Sequence, residues 1–169
     1  YENYPIRLQS LKLAVVAFQK LEPTQDMEED VLDQLNYYNN KVDQKNALLL
    51  EIMKNYPFKY DLVEVSDADA LYKAGYQYAL MPLQSTGSAI KRILNYPITP
   101  NETHQMSTAY KVNDEVSLKK IPSKANVTKY YIKQTIVKDV HVGDVWDADG
   151  SWDQALNNFV FNLRKAFKR

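Results

Sequence analysis

Four aspartates lie close together near the carboxyl-terminal end of the chain, where they could offer oxygen ligands to calcium. They surround Gly150 and are Asp144, Asp147, Asp149 and Asp153. An EF-hand calcium loop has its first ligand five residues before a central glycine and a glutamate six residues after it. Val145 and Leu156 occupy those positions here, so the template fails at both ends. A solvated turn that begins the last helix explains the same acids, and we favour that interpretation.

A second candidate site lies at residues 84–88, between a buried strand and a short helix. Backbone N–H groups at the beginning of a helix can hold an anion. The candidate ligand residues are Thr86, Gly87, Ser88, Lys91 and Arg92. The segment lacks the spacing of a P-loop or a dinucleotide fingerprint, and the chain has only four glycines. An ordinary loop is the simpler interpretation, and small-molecule or anion binding remains the alternative function.

Residues for covalent or metal-assisted catalysis are scarce. The chain has no cysteine, and its two histidines, His104 and His141, lack the spacing of a zinc motif. Two Ser-x-x-Lys matches occur, but the Ser-Asp-Asn and Lys-Thr-Gly motifs that accompany them in serine acyl-enzymes are absent. A nucleophile also needs a base that a third group orients, and no local pattern supplies one. We therefore predict a non-catalytic protein without cofactor or metal.

Composition limits the class of partner. The chain has 169 residues, 45% of them apolar and 25% charged, which is typical of one globular domain. Its formal net charge is zero, which disfavours nucleic acid and anionic membrane surfaces as partners. The longest apolar run is too short to span a bilayer. Because the chain begins at Tyr1, we expect an upstream signal peptide, lipoprotein anchor or domain to have been removed.

Apolar spacing predicts alternating strands and helices in the first half of the chain. Residues 11–18 are nearly continuously apolar, as in a strand buried on both faces in the middle of a sheet. A stripe of apolar residues at helical spacing predicts a first helix, and it consists of Met27, Val31, Leu35 and Tyr38. The elements expected next are a helix at 44–55, a strand at 60–65, a capped helix at 68–73 and a strand at 76–81. Residues 1–10 form an extended lead-in to a single domain at 11–169.

The residue pattern in the second half of the chain predicts antiparallel strands and a carboxyl-terminal helix. Two strands at 107–112 and 116–121 are spaced as a hairpin around Asn113 and Asp114. A strand at 129–138, a turn at 139–143 and a return strand at 144–146 follow. Ser151 and Gln154 fit a capping box at the beginning of an amphipathic helix that ends near residue 168. The predicted fold is therefore α/β or α+β, with a single mixed sheet packed against helices.

Several of these segments resemble a group of bacterial envelope domains. The group includes the amino-terminal domain of the translocation protein TolB, the curli-secretion lipoprotein and the lipoproteins that activate penicillin-binding proteins. The resemblance lies in the Leu-Ala-Val-Val-Ala-Phe strand at 13–18, the strands at 58–65 and 74–80, and Asp-Val-His-Val-Gly-Asp-Val-Trp at 139–146. It covers most of the chain in element order, although the helical region at 25–55 is longer and 85–105 resembles an insertion.

The resemblance implies a periplasmic or outer-membrane-associated module that works by binding. We expect a non-catalytic adaptor that binds a protein partner or itself, with contact to a membrane only through an upstream anchor. Exposed aromatic residues are enriched at binding surfaces. The candidate interface residues are Tyr37, Tyr38 and Tyr72, together with the 97–104 loop that contains His104.

Overall fold

A five-stranded mixed sheet forms the centre of the fold, and a two-stranded sheet lies beside it. The structure is a computed structural model that describes residues 4–111, 113–137 and 139–168. The strands are β1 Leu13–Val16, β2 Tyr60–Val63, β3 Tyr78–Thr86, β4 His104–Tyr110, β5 Val116–Pro122, β6 Asn126–Gln134 and β7 Val140–His141. The helices are a 3-10 helix Ile6–Gln9, α1 Glu29–Met53, α2 Ala68–Lys73, α3 Gly87–Ile93 and α4 Trp152–Phe167.

The order of the large sheet is β2-β1-β3-β6-β7. β1 pairs in parallel with β2 and β3, whereas β6 pairs antiparallel with β3 and β7. The predicted mixed sheet with helices against it is therefore confirmed. β4 and β5 form their own antiparallel pair, so the fold has a second sheet that the sequence did not predict.

Helices cover both faces of the large sheet. Leu13 and Val15 of β1 belong to the main core with α1 and α4, whereas Ala14 packs with Leu71 of α2. Since neighbouring residues of a strand point to opposite faces, α1 and α4 lie on one face and α2 on the other. The prediction of a strand buried on both faces is confirmed for β1. In the described residues, no helix is long and apolar enough to cross a membrane.

The two helices predicted between residues 27 and 55 are one continuous helix, α1, of 25 residues. Asn39 and Asn46 lie within it, and each accepts a hydrogen bond from a backbone N–H and donates one to the carbonyl of the same residue. Their partners are Leu21 and Phe18 respectively. These contacts with the preceding segment offset the modest helix propensity of asparagine, which a local pattern cannot anticipate.

Residues 4–10, the described part of the lead-in, do not form the extended segment that we predicted. Residues 6–9 form a 3-10 helix, and Leu8 is fully buried in the main core. Tyr4 packs edge-to-face on Phe159 of α4, with ring centroids 5.5 Å apart. Burial of these apolar side chains outweighs the preference of a polar, proline-containing segment for an open conformation.

Two local predictions are confirmed, the cap of α2 and the hairpin of β4 and β5. Asp67 caps α2 by accepting a hydrogen bond from the Ala70 N–H, and Gly75 follows the helix with a φ of 97°. β4 and β5 form the expected hairpin. Asp114 has a φ of 63° in its turn, a conformation that aspartate tolerates in place of glycine.

The strand pairing after β6 differs from the prediction. β6 ends at Gln134, and Val140 and His141, which fall in the predicted turn, form β7. The predicted return strand at 144–146 is not a strand. Asp149 pairs again with Thr128 of β6, so seven residues, 142–148, lie opposite only three residues of β6, 129–131. The longer side must therefore bulge outward, and we call residues 142–148 the arch.

The helix predicted from Ser151 is confirmed as α4, but its capping box is not formed. The Ser151 side chain makes no cap hydrogen bond. Asp149 Oδ1 instead accepts a hydrogen bond from the Ser151 N–H at 3.1 Å. The Gln154 side chain donates to the Tyr110 carbonyl at 2.9 Å and to Asn158. Partners distant in sequence have displaced the local arrangement.

Candidate functional site

A buried ion pair lies beneath the arch. Lys129 Nζ is 2.7 Å from Asp147 Oδ1, and the two side chains are 0% and 1% exposed. Lys129 also donates a hydrogen bond to the Val142 carbonyl at 3.2 Å, and its ammonium lies 4.8 Å from the centre of the Phe159 ring. A buried charge requires a partner of opposite sign and further hydrogen bonds, and Lys129 has both.

Two asparagines of α4 complete the surroundings of Asp147. Asn162 Nδ2 donates to Asp147 Oδ2 at 2.7 Å, and Asn158 Nδ2 donates to the Asp147 carbonyl at 3.0 Å. Asn158 Oδ1 accepts from the Tyr110 N–H at 2.9 Å. The network therefore connects α4, the arch and the end of β4 through hydrogen bonds.

Burial and the partner's charge act in opposite directions on this pair. Burial lowers the pKa of Lys129, while the Asp147 carboxylate raises it. Burial likewise raises the pKa of Asp147, while Lys129 and the hydrogen bond from Asn162 lower it. Such perturbed groups beside a cleft mark candidate functional sites.

An open cavity of about 520 Å³ lies next to this network. Asn162 and Tyr110 are part of its lining, as are Tyr4 from the amino-terminal segment and Lys165 from α4. Burial and then the charge of Asp147 raise the pKa of both Tyr4 and Tyr110. The volume is within the range of small-molecule sites, about 300–1,000 Å³. We take this cavity and the ion pair as the candidate functional site.

The residues of the predicted anion site make hydrogen bonds and contacts within the chain. Thr86 ends β3 and caps α3, accepting a hydrogen bond from the Ala89 N–H at 3.2 Å. The Ser88 N–H and hydroxyl both donate to the Ser123 carbonyl. Gly87 is buried against Gln105. The backbone N–H groups of Ser88 and Ala89, which could have held an anion, are therefore already occupied within the chain.

The two basic residues of that site do not converge on one point. Lys91 Nζ lies 3.4 Å from Glu102 Oε1 and 5.0 Å from the centre of the Trp146 ring. Arg92 is exposed. Since α3 has only seven residues and Lys91 is paired, the geometry offers little positive potential to an anion.

The four aspartates do not form the solvated turn that we favoured. Asp147 and Asp149 are buried, and Asp149 is paired with Lys119 at 2.8 Å. Asp144 lies at the rim of the cavity, and Asp153 is in the first turn of α4. Among the described residues, no three histidine, aspartate or glutamate side chains come together as a metal site.

The candidate interface residues lie on separate surfaces. Tyr37 and Tyr38 are on α1, and Tyr72 is on α2 across the sheet. All three are exposed, as is His104, which begins β4 and does not lie in a loop as predicted. The second histidine, His141, is in β7 and is buried, not solvated in a turn.

Sequence reasoning missed Tyr4, Tyr110, Lys129 and Asn162 as site residues. Lysine is usually exposed, so its place in a strand suggested only a solvent-facing position. One signal was present: Asn158 and Asn162 stand four residues apart on the side of α4 that borders its apolar stripe. Amides beside a buried stripe are candidates for a buried hydrogen-bond network. No model of a known protein family matches this chain, and no curated protein sequence matches it.

Proposed function

We propose that this chain is a non-catalytic adaptor of the cell envelope that binds a protein partner through the amino-terminal half of α1. The observation that carries the proposal is a change in exposure along one stripe of this helix. Val31 and Tyr38 are each 45% exposed, whereas Val42 and Leu49 are 2% and 0% exposed. At 100° per residue these four side chains lie on the same side of the helix. Leu35, which lies between the first two on this stripe, is 8% exposed, so Val31 and Tyr38 are members that the core leaves uncovered in the amino-terminal half.

The segment before α1 supplies a further exposed apolar residue near this half of the helix. The backbone of Leu21 is held by Asn39, one residue after Tyr38, and Leu21 is itself exposed. We call Leu21, Val31 and Tyr38 the α1 patch. Apolar side chains grouped on an exposed surface are typical of protein-binding sites, whereas isolated ones are not.

Charge indicates the chemistry of the partner. Residues 21–40 contain six acidic residues and no lysine or arginine. A partner that covers the α1 patch would therefore gain from basic residues around an apolar centre. Two copies that met through the same patch would bring these acids together, which disfavours a symmetric dimer.

The envelope location is supported by the resemblance alone. A strand, a helix, a strand, a short helix and a strand occur in that order from β1 to β3, although the length of α1 departs from the resemblance. Cell fractionation with the product of the full-length gene tests this part of the proposal. The protein should be recovered with the periplasm or membranes, and recovery in the cytoplasm would contradict it.

In-cell crosslinking tests the α1 patch. A photo-crosslinking amino acid at position 31 should capture one protein partner, whereas the same group at Tyr37, on the outer side of α1, should not. With that partner purified, Val31→Asp should weaken binding about tenfold or more, as expected for a central apolar contact. Tyr37→Ser is the matched control and should leave binding unchanged.

The dependence of binding on ionic strength and a test for self-association distinguish a basic partner from a second copy of this chain. Binding should weaken as ionic strength rises, because the acids around the patch are exposed. Equal crosslinking from positions 31 and 37 would contradict the proposal. A crosslinked dimer of this chain that Val31→Asp converts to monomer in sedimentation would replace the basic partner with a second copy.

A further inference from the structure

The cavity beside the buried ion pair has a polar floor and apolar walls. Tyr110 and Asn162 form the floor and are each 6% exposed. Ile6, Val145 and Phe167 contribute apolar surface, and the Tyr4 ring stands between floor and rim. This combination of apolar lining with a few converging polar groups is typical of small-molecule sites.

Three polar groups at the cavity have no hydrogen-bond partner among the described residues. They are the hydroxyls of Tyr4 and Tyr110 and the amide oxygen of Asn162. The orientation of the Asn162 amide is fixed because Asp147, as a carboxylate, only accepts hydrogen bonds. The Asn162 N–H therefore faces Asp147, and its oxygen is left to accept a hydrogen bond at the cavity.

Two carboxylates, Asp147 and Asp144, act on the tyrosines among these groups. The pKa of Tyr110 is raised by burial and by Asp147, and that of Tyr4 by both of these and by Asp144. Lys129 pairs with Asp147 from the other side, beneath the arch. A ligand group that approaches the floor thus meets acceptor oxygens near two carboxylates, which favours a positively charged donor such as an ammonium.

The rim carries charges of both signs, those of Asp144 and Lys165. Lys165 Nζ lies 4.5 Å from the centre of the Tyr110 ring and is part of the cavity lining. An ammonium on the floor would be repelled by Lys165 unless the ligand also carried an anion to pair with it. The floor and rim together match a zwitterion.

We propose that the cavity binds a free amino acid, which carries an ammonium, a carboxylate and an apolar side chain. The ammonium donates to Asn162 Oδ1 and the two tyrosine hydroxyls, and the carboxylate lies against Lys165. The apolar side chain packs on Phe167 and Val145. This site is separate from the α1 patch, so it does not depend on the function proposed above.

A matched series of three probes tests the charge requirement. L-Phenylalanine carries both groups, phenethylamine lacks only the carboxylate, and hydrocinnamate lacks only the ammonium. Titrations of the isotope-labelled protein, followed by amide NMR, should place shifts at Tyr110, Asn162 and Lys165. Phenylalanine should bind with a Kd of about 1 mM or tighter. Phenethylamine should bind more weakly, and hydrocinnamate should bind most weakly.

Two substitutions test the assignment of each group. Tyr110→Phe should weaken phenylalanine and phenethylamine by about fivefold, the value of one hydrogen bond, with little effect on hydrocinnamate. Lys165→Met should remove the preference for phenylalanine over phenethylamine. Tyr72→Phe, on the opposite face of the sheet, should change neither. Unchanged thermal unfolding of each variant excludes a folding defect, and Tyr4→Phe replaces Tyr110→Phe if the latter is destabilised.

Three outcomes would overturn the proposal. The first is binding of hydrocinnamate as tight as that of phenethylamine, because the floor would then have no preference for a cation. The second is the absence of shifts with all three probes. The third is a set of shifts that leaves Tyr110 and Asn162 unaffected, because binding would then lie elsewhere.

Discussion

Lys129 and Asp147, 18 positions apart in the chain, form an ion pair with an Nζ–Oδ1 distance of 2.7 Å and almost no exposure to solvent. Their pairing holds the arch against β6 where the strand ladder is interrupted. Two charges in a buried position contribute little net stability compared with apolar residues of similar size, but the loss of one leaves the other uncompensated. The pair therefore specifies the position of the arch.

Removal of one charge should be more harmful than removal of both. We expect Asp147→Asn to lower the free energy of unfolding by about 3–5 kcal/mol, because Lys129 would remain buried without its counter-ion. The double variant Lys129→Met with Asp147→Leu should be more stable than Asp147→Asn. Urea unfolding measures both. A double variant less stable than Asp147→Asn would show that the pair contributes strong net attraction.

Alanine substitutions at Gly143 and Gly75 measure the contact between the arch and Tyr4, because only Gly143 lies against Tyr4. Both glycines have positive φ, 73° and 97°, so alanine at either position costs about 1–2 kcal/mol in backbone strain. A methyl group at Gly143 would also overlap the Tyr4 hydroxyl, whereas at Gly75 it meets nothing within 4 Å. Gly143→Ala should therefore destabilise the protein more than Gly75→Ala in urea unfolding. Equal effects would mean that Tyr4 moves away without cost.

Asp61 should titrate differently when Tyr76 loses its hydroxyl. Tyr76 Oη donates to Asp61 Oδ2 at 2.7 Å, and this bond lowers the pKa of Asp61, with a smaller contribution from Lys12 at 3.5 Å. The folded pKa lies below the unfolded value, so the stabilisation is present above about pH 4 and is lost as pH falls through the folded pKa.

Tyr76→Phe should raise the Asp61 pKa toward its ordinary value and make this loss of stability at low pH smaller. Carboxyl NMR during a pH titration measures the change. Lys12→Gln is the control and should raise the pKa less, because Lys12 is a minor cause. A larger rise in Lys12→Gln than in Tyr76→Phe would contradict the assignment.

The elements of this fold that depend on neighbours in sequence could be predicted. The apolar run of β1, the Asp67 cap of α2 and the stripe of α4 each express a local preference. The features that failed depend on partners far away in the chain. Asn39 and Asn46 resemble a helix break until their backbone partners in the preceding segment are known.

The candidate site was hidden for the same physical reason. The segment at 139–146 has the composition of a hairpin, yet its second half leaves the sheet because Asp147 is held by Lys129 and α4. Burial of Asp147 and Lys129 is determined by pairing across four elements, and residue type alone favours exposure for both. The cavity arises where Tyr4 and the end of β4 meet α4, which no local pattern encodes.

The two halves of α1 should differ in local stability. Leu49 and Met53 are fully buried and belong to the main core, whereas the helix near Tyr38 has one side left uncovered. Local opening requires less free energy where few apolar contacts are broken. Amide hydrogens at 34–39 should therefore exchange faster than those at 46–51, as measured by hydrogen exchange with NMR.

Two substitutions test how much the contacts with the preceding segment stabilise each half of α1. Asn46→Ala is the first. It removes both hydrogen bonds to Phe18 and should lower the free energy of unfolding by about 1–3 kcal/mol, since two partly buried backbone groups lose their partner. Asn39→Ala removes the equivalent bonds to exposed Leu21 and should cost less. A bound partner on the α1 patch should slow exchange at 34–39 and leave 46–51 unchanged. Equal protection of both halves in the free protein would mean that the patch is already covered.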